Sequence, residues 1–208
     1  LVERLMAYLG GNPDKAAHND CRRAIIDAHR ELLNCHRWTS FMQAGRVYLN
    51  AAYSTGTIEY IHTGSTYERE LTLTDGTWPS WAARGFVRIS DRVSFVERRI
   101  SDSILVLDAA VNPGEDVAAE TEYSLSQDAY ELPADFLSAD AQLAELNWGQ
   151  MDYMSPTEWL ATNRYMQTPG GPARFYTFMA DIKNRGKLCL RVYPAPDEFQ
   201  TVDFLYRK

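Results

Sequence analysis

The chain has 208 residues, 45% of them hydrophobic and 12% aromatic, and a net charge of −7. This composition excludes a disordered or fibrous chain, and the acidic balance disfavours general binding to nucleic acid or anionic membranes. No apolar run approaches the roughly 18 residues that a membrane-spanning helix needs.

The start, Leu1 to Leu9, reads as a short helix stopped by Gly10-Gly11. It carries Glu3 and Arg4 and no small-residue cleavage site, so it does not read as a secretory signal. Asn12-Pro13 then supplies a cap and a first-turn proline. Ala17, Cys21, Ala24, Ile25, Ala28, Leu32 and Cys35 follow at helical spacing, with Arg22, Arg23, Asp27, Arg30 and Glu31 mostly between them. The spacing predicts one amphipathic helix over about residues 13 to 37.

From Gly45 the period shortens. Val47, Leu49, Ile58, Tyr60, Leu71, Leu73, Phe86, Val87, Ile89, Val93, Phe95 and the run Ile104 to Leu107 lie in short β-branched and aromatic stretches. Turn residues separate them, Asp75-Gly76 being the clearest tight-turn signal. The expectation is an antiparallel β region over about 45 to 130. After Pro133, the spacing of Phe136, Leu137, Ala141, Leu143, Ala144 and Leu146 predicts a helix over about 134 to 148. Ser155-Pro156-Thr157-Glu158 is a capping box that opens a helix to about Tyr165. Thr168-Pro169-Gly170-Gly171-Pro172 reads as a loop, and strands follow at about 174 to 180, 187 to 193 and 200 to 206. The expected fold class is α+β. A small discontinuous helical bundle (1–44 with 131–170) would carry an inserted antiparallel β region (45–130) and C-terminal strands (171–208).

Chemical motifs are sparse. Cys21, Cys35 and Cys189 are odd in number and widely spaced, which speaks against a disulfide framework and for synthesis in a reducing compartment. His18 and Cys21 share a helix face, but Cys21 and Cys35 stand about 21 Å apart on a straight helix, too far to share one ion. Neither cysteine pairs with a protease-type signature, and there is no nucleophile elbow, phosphate loop or dinucleotide fingerprint. The expectation is no enzyme, no metal and no cofactor. Trp78, Trp81, Tyr67 and Phe86 cluster in the β region. They read as core packing, or alternatively as a sugar platform or partner anchor in a carbohydrate- or receptor-binding module.

Charge is unevenly distributed. Between Arg99 and Arg164 there is no Lys, Arg or His, and thirteen acids: Asp102, Asp108, Glu115, Asp116, Glu120, Glu122, Asp128, Glu131, Asp135, Asp140, Glu145, Asp152 and Glu158. The rest of the chain holds 21 basic and 15 acidic residues. Such asymmetry suits either a solvated acidic face or complementarity between copies of the chain. The candidates for a subunit interface are the basic Arg84, Arg88, Arg92, Arg98, Arg99, Lys183, Arg185, Lys187 and Arg191. Their acidic counterparts are Asp102, Asp108, Glu115, Asp116, Glu120 and Glu122.

The last third of the chain is its most distinctive text. Tyr130-Glu131-Leu132-Pro133-Ala134-Asp135-Phe136-Leu137 is followed by Ser155-Pro156 and by Gly171-Pro172-Ala173-Arg174-Phe175-Tyr176. Leu188-x-Leu190-x-Val192-Tyr193-Pro194-Ala195-Pro196-Asp197 and the alternating Val202-x-Phe204-x-Tyr206 end the series. The order of these pieces resembles the head-to-tail adaptor, or connector, proteins of tailed bacteriophages, over about residues 14 to 206. The resemblance implies a structural virion protein made in the host cytoplasm, with a helical bundle docking under the portal protein and a β region facing the tail (nozzle) proteins. It implies roughly twelve copies in a ring through which DNA passes, with no active site, cofactor or membrane.

Overall fold

The computed structural model describes residues 1–8, 15–35, 42–139, 144–145, 149–162 and 170–208. The expectations for Gly10-Gly11, Asn12-Pro13, residues 140–143, 146–148 and 163–165, and Thr168-Pro169 lie outside the described residues. The chain divides into two compact units, Leu1–Gln43 and Ala44–Lys208. In the first, helix α1 (Val2–Tyr8) packs on α2 (Lys15–Cys35). Cys21 on the apolar stripe of α2 is buried and Ile25 half-buried, whereas Leu32 is 54% exposed.

Strand β1 is Met42–Leu49. Seven strands follow: β2 (Thr57–Ile61), β3 (Glu70–Thr74), β4 (Phe86–Ile89), β5 (Arg92–Arg99), β6 (Ile104–Leu107), β7 (Val117–Thr121) and β8 (Tyr123–Ser126). They form one sheet in the order β7-β2-β3-β6-β5-β4-β8. Strands β7 and β8 stand at opposite ends of that order, yet only Glu122 separates them in the chain. The sheet therefore curls until its two ends meet, helped by register shifts at Ile58/Tyr60 and Val96/Arg98. Such irregularities increase local twist and bend the strand. Inside the curl lies the first core, which includes Ile58, Tyr60, Leu71, Trp78, Val87, Leu105, Leu107 and Leu125. The indole N–H of Trp78 donates to the carbonyl of Ser103 at 3.0 Å, so its burial leaves no polar atom stranded.

The remaining strands are β9 (Ala129–Glu131), β10 (Ser138–Ala139), β11 (Ala144–Glu145), β12 (Gly149–Gln150), β13 (Asp152–Tyr153), β14 (Phe175–Ala180), β15 (Leu188–Tyr193) and β16 (Gln200–Arg207). One sheet runs β1-β16-β11-β12, with β10 also on β16, and a second runs β13-β14-β15-β9. A second core lies between these two sheets. Val47 and Leu49, with Val202, Phe204 and Tyr206, meet Tyr130, Tyr176, Leu190 and Val192 there. Alternation along β16 is complete: Gln200, Val202, Phe204 and Tyr206 are buried, and the residues between them are not.

The structure is thus mostly β, 42% strand against 19% helix, and the expected helical bundle with an inserted β region is overturned. The decisive segment is 134–148. Ser138–Ala139 and Ala144–Glu145 are strands that pair antiparallel with β16, and the N–H of Leu137 donates to the carbonyl of Arg207. Short apolar runs do not distinguish helix from strand by periodicity alone. This one carries acids at 135, 140 and 145 and no base, so it has no ion pairs at helical spacing to hold a helix, while β16 offers it an edge. Helix α3 (Pro156–Thr162) forms behind its capping box, with Ser155 N–H and hydroxyl both donating to Glu158 Oε2. It packs on β14 rather than on another helix.

Turn chemistry departs from expectation at one place. Asp75-Gly76 joins no pair of adjacent strands, since β3 pairs with β2 and β6 and not with β4. The two-residue hairpin is instead Ser90-Asp91, with Ser90 at φ 54° between the paired Ile89 and Arg92. Two glycines are required by close approach. A Cβ at Gly56, where φ is 78°, would stand 2.2 Å from the carbonyl oxygen of Thr74, and one at Gly85 2.8 Å from that of Ser126.

Leu125, fully buried, and Leu205, 49% exposed on the outer face of β16, make a controlled pair. Leu125→Ala is expected to cost about 2–5 kcal/mol in urea unfolding, and Leu205→Ala within about 0.5 kcal/mol.

Candidate functional site

The two cores of the second unit meet at a seam, and the side chains that cross it are charged. The last residue of a 3-10 turn (Ser80–Arg84) supplies the main clamp. Arg84 Nη1 donates to Asp181 Oδ2 at 2.9 Å, and Nη2 donates to Glu131 Oε1. Glu131 ends β9, and its Oε1 also accepts from Asn184 Nδ2 at 2.9 Å. A second bridge runs from Lys183, whose Nζ donates to the carbonyls of Val96 and Glu97 in β5. Both bridges come from the β14–β15 hairpin (Asp181 to Lys187), closed by Asp181 N–H on Lys187 O at 2.9 Å with Gly186 at φ 86°.

Burial by itself would raise the Asp181 carboxyl. The hydrogen bonds from Arg84 and from the backbone N–H of Lys183 outweigh it and hold the group below its ordinary value. The Lys183 ammonium is pushed down by burial against the pull of Glu97 and Asp108.

A cleft of about 380 Å³ opens at the same seam. Its apolar walls are Phe95, Val96, Met179 and Cys189, with Leu160 of α3 and Ile182 of the hairpin beside them. Leu160 and Ile182 are 61% and 81% exposed, so an apolar rim faces water. The charges in the cleft are already engaged: Arg84 as above, and Arg191 Nη1 on Asp128 Oδ2 at 3.0 Å. Burial pushes the Asp128 carboxyl up, and Arg191 opposes that shift. Burial likewise raises the Cys189 thiol, which keeps it protonated and poorly nucleophilic. Among the described residues no group of three His, Cys, Asp or Glu is placed to hold a metal, and no helix is long and apolar enough to cross a membrane.

Most of the charged residues proposed from sequence as interface candidates have partners within the chain. Besides Arg84, Lys183 and Arg191, Arg88 lies 3.5 Å from Asp91 and Arg92 3.7 Å from Glu115. Arg98 sits 5.9 Å over the ring of Tyr67. Arg99 meets Asp102 at 2.5 Å and the carbonyl of Trp78 at 3.0 Å. Asp108 accepts the N–H groups of Ala110 and Val111, and Asp116 that of His62. Arg185, Lys187, Glu120 and Glu122 are exposed, and among the described residues their side chains make no ion pair. Of the aromatic cluster, Trp78 and Phe86 are buried and Trp81 and Tyr67 half-buried. A sugar platform needs an exposed ring face, which the first two do not offer.

Sequence reading did not single out Asp181 or the cleft. An acid between an alternating strand and an Asn-Arg-Gly turn does signal a turn cap, which is what Asp181 Oδ1 provides to Lys183 N–H. Its pairing with Arg84, 97 residues away, has no local signal.

The segments that carry the family resemblance converge on the second core. The hydroxyl of Tyr130 donates to Gln127 O at 2.9 Å and accepts from Asn50 N–H at 3.2 Å. Phe136 packs on Phe178, Phe204 and Tyr206, and the Tyr206 hydroxyl donates to Asp135 Oδ1 at 2.9 Å. Gly171 N–H donates to Asp197 and Ala173 N–H to Gln200, tying the glycine-proline turn to the segment that enters β16. Compared with protein-family models, curated proteins and solved structures, the chain matches none.

Because Asp181 titrates below its ordinary value, the stability it confers is present above about pH 4, the unfolded carboxyl range, and is lost as pH falls through the folded value. Asp181→Asn is expected to cost on the order of 1–3 kcal/mol at neutral pH. The difference from the parent should shrink as unfolding is measured below about pH 4.

Proposed function

We propose that this chain is a structural subunit of a tailed phage particle, an adaptor that forms a ring between the portal and the tail and lines the DNA exit channel. The observation that carries the reading is the convergence just described. Pieces spread from Tyr130 to Tyr206 that resemble the adaptor family close one core together, so the resemblance falls on a folded module and not on scattered words. Its partners are then the portal protein, the tail proteins and copies of itself. The protein has no catalytic role; it is made in the host cytoplasm and ends in the virion.

The charge pattern fits a ring. Identical subunits in a ring meet through heterologous contacts, one patch against a different patch of the neighbour. An acid-rich third with a basic remainder can choose that register and speed encounter. Acids that face the channel would repel DNA phosphates and let the genome slide.

Electron microscopy of the purified full chain, alone and mixed with a portal ring, tests the reading. Closed rings or portal-bound rings are expected, and assembly should slow as salt rises from about 0.05 to 0.5 M, where the Debye length shrinks from roughly 14 to 4 Å. A monomer at every concentration that also ignores the portal would overturn it.

A further inference from the structure

We infer that the tip of the β14–β15 hairpin and the apolar rim beside it form one half of the contact between copies, and that the outer strand β7 of the next copy forms the other. This rests on the reading of the chain as a ring-forming subunit. Four of the candidate charges make neither an ion pair nor a side-chain hydrogen bond or ring contact within the chain among the described residues: Arg185 and Lys187 on the hairpin, and Glu120 and Glu122 on and beside β7. They are two cations and two anions, each pair close in sequence and exposed to water.

Within one copy no ion pair joins the two sets among the described residues. They belong to different parts of the fold, the hairpin beside the cleft and an end strand in the order of the seven-stranded sheet. Two different patches on one chain, complementary in sign, are the elements of a heterologous contact.

The apolar surface agrees. Exposed Ile182 and Leu160 stand beside a cleft whose charges are already paired, so the rim gains by losing water and asks for no new ion within the cleft. On the other side, Ala118 and Ala119 lie just before Glu120 on β7 and are exposed. Their small side chains let a neighbouring surface approach closely. Exposed ion pairs alone contribute little, so the Ile182 rim supplies the contact and the four charges set its register.

Sedimentation velocity on the full chain at low salt tests this with R185E/K187E, E120K/E122K and the quadruple swap. All four sites are exposed, so thermal unfolding of each variant is expected to match the parent. Each double reversal should weaken self-association by about tenfold, the equivalent of roughly 1.4 kcal/mol, and the quadruple swap should restore it. Ile182→Asp should weaken association without rescue by the swap. If the parent assembles and the double reversals assemble equally well, or if they weaken but the swap brings no recovery, the two patches do not face each other and this contact is wrong while the ring reading stands. If the parent itself stays monomeric and ignores a portal ring, the ring reading fails and this contact with it.

Discussion

The second unit depends on holding two separately closed cores together across a seam lined with charge. Arg84 is the centre of that arrangement. Its guanidinium is largely buried and must be matched on both sides, by Asp181 from one end of the hairpin and by Glu131 from the end of β9. Removing one partner leaves a cation with less to hold it in a place where water compensates poorly. Lys183 extends the same logic by donating to two backbone carbonyls of β5. The hairpin that carries Asp181 and Lys183 therefore docks the second core onto the curled sheet, and its tip is left to point outward.

That division of labour separates structural charges from available ones. Arg191 with Asp128, Arg99 with Asp102 and Arg46 with Asp203 tie strand to strand or strand to loop. The Arg46–Asp203 pair joins neighbouring strands on an outer sheet face, where the bond lowers the Asp203 carboxyl. Of the interface candidates, those without a described side-chain partner lie at two places, the hairpin tip and β7, the first of them beside exposed Ile182.

The curl of the seven-stranded sheet has the same kind of consequence. Closing the sheet on itself removes most of its edges and buries Tyr60, Trp78 and Leu125, with Ala82 of the 3-10 turn packed beside them. Among the described residues, that core is built from the second unit. A β body that is finished by its own strands can present its outer surfaces and loops to other chains.

Much of the local structure was legible in the sequence. Helix α2, the capping box of α3 and the strands at 175–180, 188–193 and 200–207 follow from periodicity and end signals, because those forces act between residues a few positions apart. The segment 134–148 was not legible. Its apolar spacing satisfies a helix, and only the edge of β16, some sixty residues further on, makes strands of Ser138–Ala139 and Ala144–Glu145. The Ser90-Asp91 hairpin escaped notice because it has no glycine, while Asp75-Gly76 has the right letters and the wrong neighbours. The charge asymmetry was plain from composition, and so were the fifteen ionic candidates for an interface. Arg88 and Arg99 find acids three positions on, but tertiary structure decided the rest, as where Arg84 finds Asp181 across 97 positions. The sequence by itself determined where backbone turns, caps and alternation fall; chain closure in three dimensions determined which edges and charges met a partner.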